Sequence, residues 1–289
     1  MSPILLSLIV MGALGIAFGL TLALSGRFFH VETDPRIEHI AEALPGINCG
    51  ACGYAGCDSY AEAVAKGAAP DLCVPGGHDV ALAVAHVMGA KLESERQPVR
   101  AVVHCQGGTD RCGRRFEYHG IEDCNAAHLM QAGGKECEYG CLGYGTCASV
   151  CPFGAITMRW DRIPMIDWEK CSGCGTCARA CPRSLIETIP ITARHFVSCS
   201  SQDRGKEVKQ TCAVGCIACW LCVKVSPEGS IEKEGNLPKL TYPADADYAA
   251  AQEKCPMNCF VAVERPRVSE RPTPVAATQA EAAASAVSA

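Results

Sequence analysis

Residues 171–182 read Cys-Ser-Gly-Cys-Gly-Thr-Cys-Ala-Arg-Ala-Cys-Pro, placing Cys171, Cys174, Cys177 and Cys181 at intervals of two, two and three residues, with Pro182 directly after the last. One short loop with this spacing can wrap three thiolates around a face of a [4Fe-4S] cube. Gly173 and Gly175 permit the turns and a close backbone approach to inorganic sulfide. Pro182 ends the loop and redirects the fourth cysteine toward a neighbouring cluster. A zinc knuckle also uses four cysteines, but it needs neither the proline nor a matching set nearby.

That matching set is Cys137, Cys141, Cys147 and Cys151-Pro152, and Cys151-Pro-Phe-Gly-Ala-Ile lies thirty residues before Cys181-Pro-Arg-Ser-Leu-Ile. In two-cluster ferredoxins the last cysteine of each run serves the other cluster. Crossed ligation therefore assigns Cys137, Cys141, Cys147 and Cys181 to one cluster, and Cys151, Cys171, Cys174 and Cys177 to another.

A second repeat bears on this assignment. Gly140-Cys141 to Ile156 aligns without gaps on Gly215-Cys216 to Ile231, a shift of 75 (216 minus 141). Cys137, Cys141 and Cys147 map to Cys212, Cys216 and Cys222, and at a shift of 74 Cys181-Pro182 maps to Cys255-Pro256. The other cluster's ligands fall on Ser226, Asp245, Tyr248 and Ala251, so one whole set is missing together. Cys219 stands where the first copy has Tyr144, which leaves Cys212 or Cys219 spare. The C-x2-C-x2-C loop favours Cys216, Cys219, Cys222 and Cys255 for a fourth cluster.

A further constellation, Cys49, Cys52, Cys57 and Cys73, begins in Asn48-Cys-Gly-Ala-Cys-Gly-Tyr-Ala-Gly-Cys57. Its glycines leave room for backbone N–H groups near cluster sulfurs. Cys105 and Cys199 each close an apolar run ahead of a repeat, as equivalent strand ends would. No ligand is assigned among these two and Cys112, Cys124 and Cys259.

The chain has 289 residues, 22 of them cysteine, and an aromatic content of 6%, which points to two or three small domains built around inorganic clusters instead of one large core. Tight cysteine runs suit metal centres and a reducing compartment better than disulfides. A net charge of -5 supplies no basic footprint for nucleic acid. There is no paired-carboxylate motif, nucleophile elbow or nucleotide fingerprint; Gly133-Gly134 lacks the Lys-Ser/Thr pair of a phosphate loop. Cys212-x3-Cys216-x2-Cys219 matches a radical SAM loop, but no alternating strands and helices for a barrel accompany it.

Ile4 to Leu24 carries no charge over 21 residues, enough to cross a bilayer as one helix. Arg27 follows it and nothing basic precedes it, which favours a cytoplasmic body. The expected class is α+β. Its parts are a transmembrane anchor at 1–26, a small helical [4Fe-4S] domain at 32–92, a connecting segment at 99–131, ferredoxin-type motifs at 132–161 and 162–191, a degenerate ferredoxin-like repeat at 195–264, and a disordered tail at 265–289. Within the helical domain, Ile37, Ile40, Ala41 and Leu44 recur at helical spacing, and Asp58–Lys66 and Asp79–Ala90 read similarly.

An N-terminal hydrophobic anchor, then Cys49 to Cys57 with Cys73, then a two-cluster ferredoxin over about residues 1–190, resembles the B subunit of the Rnf complex. The resemblance implies an electron-transfer subunit of a membrane ferredoxin:NAD oxidoreductase that couples electron flow to Na+ or H+ translocation. It implies an inner-membrane location with the clusters on the cytoplasmic side, and other Rnf subunits and soluble ferredoxin as partners. Flavin and NAD would sit on those partners. It implies at least three [4Fe-4S] clusters, with Cys49, Cys52, Cys57 and Cys73 for the N-terminal one and the eight cysteines from Cys137 to Cys181 for the ferredoxin pair. The alternative is an iron-sulfur subunit of another membrane oxidoreductase, of hydrogenase or carbon monoxide dehydrogenase type. A zinc-stabilised interaction module is the reading from a different class.

Overall fold

The computed structural model describes residues 3–28, 34–92, 97–243 and 246–263; the expected disordered tail at 265–289 and Asp245 lie outside the described residues. The described chain mixes short helices with four two-stranded antiparallel sheets.

Helix α1 (Pro3–Phe28) is apolar on every side, long enough to cross a membrane, and none of its apolar stretch is buried against protein. Three helices follow: α2 (Pro35–Ala43), α3 (Cys57–Ala65) and α4 (Gly77–Met88). Asp34 caps α2 by accepting the Arg36 N–H at 2.9 Å, and Pro35 occupies the first turn, where its missing N–H costs nothing. Ile40, Leu44, Tyr60, Ala61, Val64 and Val84 form the core between these helices. The helical periodicity read over this region corresponds to these three elements. Each large apolar side chain so buried contributes about 1.5–3 kcal/mol.

Two units with one element order follow. The first runs β1 (Val99–Val103), α5 (Cys124–Leu129), α6 (Thr146–Ser149), β2 (Ile156–Met158), β3 (Pro164–Ile166), α7 (Thr176–Ala180) and β4 (Ile186–Pro190). The second runs β5 (His195–Val197), α8 (Gly205–Thr211), α9 (Leu221–Val225), β6 (Ile231–Glu234), β7 (Leu237–Leu240), α10 (Ala249–Lys254) and β8 (Phe260–Ala262). In each unit the first strand pairs with the last, β1 with β4 and β5 with β8, while β2–β3 and β6–β7 form hairpins. Residues 99–103, read from sequence as part of a connecting segment, thus supply an edge of the first unit, with Val99 opposite Pro190 and Val103 opposite Ile186. Cys105 and Cys199 lie two residues beyond β1 and β5, as the strand-end reading anticipated.

Alternation along β1 divides its side chains between two cores. Ala101 and Val103 pack inside the first unit with Ile156, Ile163, Leu185 and Ile186. Val102 faces the other way and packs with Ile189 and Phe196 of β5, drawing the units together. His104 reinforces that contact, its Nδ1 donating to the Val197 carbonyl at 2.6 Å.

Candidate iron-sulfur centres

In the helical unit the four expected cysteines come together: Cys57, Cys49 and Cys52 lie within electrostatic reach of Cys73. The Asn48 side-chain carbonyl accepts the N–H of Cys57, the first residue of α3, at 2.8 Å. A Cβ on Gly56 would meet that oxygen at 2.8 Å, so the loop requires glycine there. Tyr60 delivers the distant Cys73. Its hydroxyl donates to the Ala69 carbonyl at 2.8 Å and accepts the Leu72 N–H at 3.1 Å, and burial pushes the phenol up to about 12. Tyr60→Phe leaves both backbone groups without this partner, which costs about 1–3 kcal/mol. Amide hydrogen exchange on the full chain should show protection falling across α3 and the Cys73 loop and unchanged in the two later units.

In the first two-sheet unit Cys141, Cys147 and Cys181 line one cavity of about 420 Å³. The fourth cysteine on its wall is Cys124, not the expected Cys137. The reason lies in α5, whose N-cap Asp123 accepts the Asn125 and Ala126 N–H groups and also the Thr146 hydroxyl at 2.7 Å. The Thr146 oxygen in turn accepts the Cys124 N–H at 2.7 Å, fixing Cys124 beside Cys147. Cys137 is drawn away by a short ladder in which Glu136 N–H donates to Gly113 at 2.9 Å and Arg114 bridges Lys135. It lines a separate cavity with Cys105, Cys112, Cys199 and Cys212.

The second expected set of this unit stands together, with Cys171, Cys174 and Cys151 within electrostatic reach of Cys177. Cys181 and Cys151 therefore cross over: Cys181 shares a cavity with Cys141 and Cys147, and Cys151 stands with Cys171, Cys174 and Cys177. Burial first, and the neighbouring thiols next, push Cys147 up to about 12 and Cys177 up to about 11. Thiols so placed oppose one another's ionisation, a conflict that a cationic iron core would remove.

In the second unit Cys216, Cys219, Cys222 and Cys255 line a cavity of about 380 Å³, with Cys259 on its wall. Cys219 stands in the group, and Cys212 does not. The space that a second cluster would need is packed instead: Tyr248 and Ala251 are buried, and the Tyr248 hydroxyl donates to the Ser230 carbonyl at 3.0 Å. One hydrogen bond recurs in all three proline-linked turns. Ala155, Leu185 and Cys259 donate their N–H to the sulfurs of Cys151, Cys181 and Cys255, at 3.4, 3.5 and 3.2 Å. Such N–H···S contacts are a means of tuning cluster potential. Among the described residues no group of His, Cys, Asp and Glu closes on a single metal ion. The cysteines instead surround volumes, as a cube of iron and sulfide needs.

Over 261 residues the chain is 42% identical to the B subunit of the Na(+)-translocating ferredoxin:NAD(+) oxidoreductase complex of Acetobacterium woodii, covering 90% of this chain and 78% of that protein. Over 267 residues it is 40% identical to the B subunit of the proton-translocating ferredoxin:NAD(+) oxidoreductase complex of Clostridium ljungdahlii, covering 91% and 94%. The chain belongs to the B subunits of ion-translocating oxidoreductase complexes. A third such protein, from Methanosarcina acetivorans, is 39% identical over 258 residues, covering 88% and 93%. Two family models match the chain, an Fe-S cluster family over residues 44–75 and a 4Fe-4S binding domain over 164–187. The alignments are too long to stop near residue 190, so the B-subunit likeness extends into the second unit.

In this B subunit, sequence spacing did not point to Cys124 as a neighbour of Cys141, because it lies 17 residues earlier and outside any compact loop motif. The usable signal was local. Asp123-Cys124 opens a helix, and an N-cap aspartate fixes the residue after it.

Proposed function

We propose that this chain is the iron-sulfur electron relay of a membrane-bound ferredoxin:NAD oxidoreductase complex that couples electron flow to ion translocation. The observation that carries the reading is the gathering of cysteines into four separate groups in a chain of this family. Cys49, Cys52, Cys57 and Cys73 would hold the first cluster. Cys124, Cys141, Cys147 and Cys181 would hold the second, Cys151, Cys171, Cys174 and Cys177 the third, and Cys216, Cys219, Cys222 and Cys255 the fourth. Bound clusters supply one-electron uptake and release.

The chain's own residues set where that happens. The buried walls limit water, and the recurring N–H donors favour the reduced, more negative state. The Arg179 guanidinium on α7 donates to the Cys49 carbonyl at 2.9 Å, which ties the N-terminal cluster loop to the helix carrying Cys177. Electrons would pass from a soluble ferredoxin toward flavin and NAD on partner subunits. Helix α1 would anchor the chain in the inner membrane, with its clusters on the cytoplasmic face, as Arg27 in its last turn favours.

Anaerobically purified full-length protein is expected to be brown and to contain at least about sixteen iron atoms, four for each of these four sites, and a matching quantity of sulfide. Colourless protein with stoichiometric zinc and negligible iron would end this reading.

A further inference from the structure

Six cysteines remain to be placed; Cys259 sits on the wall of the fourth group's cavity, and the other five meet in one cavity of their own. Cys105, Cys112 and Cys137 come from the first unit and Cys199 and Cys212 from the second, lining one cavity between them as Cys124, Cys141, Cys147 and Cys181 line another. Backbone pairing across the unit boundary builds the rim: Cys112 bridges Cys212, and the Ala213 N–H donates to the Arg111 carbonyl at 2.9 Å. The ladder that draws Cys137 away from the second cluster's cavity brings it to this one.

Gly107 forms part of the wall. A Cβ there would lie 3.1 Å from the Cys212 sulfur, 3.5 Å from the Cys112 Cβ and 3.9 Å from the Cys105 sulfur, so a side chain would intrude on the cysteines. The Lys135 ammonium also lines the cavity and donates to the Gly107 carbonyl and, at 2.8 Å, to that of Cys141. It places one positive charge beside a group of thiols, as an anionic tetrathiolate cluster requires. The internal repeat accounts for the location, because Cys137 and Cys212 are equivalent positions and face one site from the two copies.

We propose that this cavity holds a fifth [4Fe-4S] cluster, bridging the two units through Cys105, Cys112, Cys137 and Cys212. Cys112, Cys105 and Cys137 are the cysteine neighbours of Cys212. Cys199 accepts the Cys216 N–H at 3.2 Å, as Cys105 accepts the Cys141 N–H at 3.3 Å, but its cysteine neighbours are Cys216 of the fourth group and Cys105, and not Cys112, Cys137 or Cys212. A cluster here would link the first unit's pair to the single cluster of the second. The proposal goes beyond the four-cluster reading, although it rests on that reading's iron-sulfur chemistry.

The test uses full-length protein reconstituted anaerobically with ferrous iron and sulfide. Iron content, Mössbauer spectra and redox-titrated electron paramagnetic resonance are compared with those of Cys112→Ser/Cys212→Ser, Cys137→Ser and Gly107→Val. The unsubstituted chain should hold about twenty iron atoms, and the double variant about four fewer, with one spectral component missing and the others intact. Cys137→Ser and Gly107→Val should affect that same component, and circular dichroism of every variant should match the parent. Unchanged iron in the double variant would overturn the proposal while leaving four clusters standing. So would a Cys112–Cys212 disulfide found by differential alkylation, or one zinc lost in place of four irons. Negligible iron in the unsubstituted protein would instead refute the underlying four-cluster reading.

Discussion

Serine in place of Cys151 is expected to remove or shift the cluster bounded by Cys171, Cys174 and Cys177, although Cys151 follows Cys147 in the chain and precedes Cys171 by twenty residues. The structure sends Cys151 to the neighbourhood of Cys177, and Cys181 to the cavity wall that it shares with Cys141 and Cys147. Serine oxygen is a harder and poorer ligand for this cluster than thiolate, so each substitution should act on one centre, with a loss of up to about four irons or a displaced potential. Cys181→Ser should damage the cluster of Cys141 and Cys147. The protein already contains a natural counterpart: Ser226 replaces the equivalent of Cys151, and the second unit has filled the corresponding space with Tyr248 and Ala251. Cys141→Ser and Cys174→Ser provide spectroscopic references for the two centres. If Cys151→Ser matches Cys141→Ser instead, each run ligates its own cluster, and the joint absence of four ligands in the second unit loses its explanation.

The crossed placement of Cys151 and Cys181 was legible from sequence because it follows from intervals of two and three residues closed by a proline, and local loop geometry is what such intervals encode. The three helices around Tyr60 were legible for a similar reason, since Ile37, Ile40, Ala41 and Leu44 already mark one face of α2. Cys219 could be preferred over Cys212 on loop spacing alone, and the cavity lined by Cys216, Cys222 and Cys255 includes it. The edge strand Val99–Val103 was harder to place, because its partner Ile186–Pro190 lies more than eighty residues away and no local pattern announces a pairing at that separation. Cys112 and Cys137 were illegible on the same ground. Their positions depend on the Arg114–Lys135 bridge and on contact with Cys212 in another unit, which are long-range events.

The largest departure from sequence reading, Cys124 for Cys137, leads to an equally large expected effect. Cys124→Ser should abolish or shift the same spectral component as Cys141→Ser, and Cys137→Ser should leave that component unchanged. The physical ground is the clamp at the start of α5. Thr146 accepts the Cys124 N–H and donates to Asp123, so a residue in α6, next to Cys147, holds Cys124 of α5 in place. The hydroxyl of Thr146 holds the Asp123 carboxyl below the usual carboxylate range, so this clamp stays ionised at neutral pH. Thr146→Val keeps every thiolate but removes the clamp, leaving the Cys124 N–H unpaired at a cost of about 1–3 kcal/mol. That variant should retain its iron when cold and lose this one component at a lower temperature than the parent, with Cys151-linked signals unaffected. Should Cys137→Ser remove the Cys141 component and Cys124→Ser leave it intact, the ligand would be the one that the compact loop spacing first indicated, and the clamp on Cys124 would be a structural contact alone.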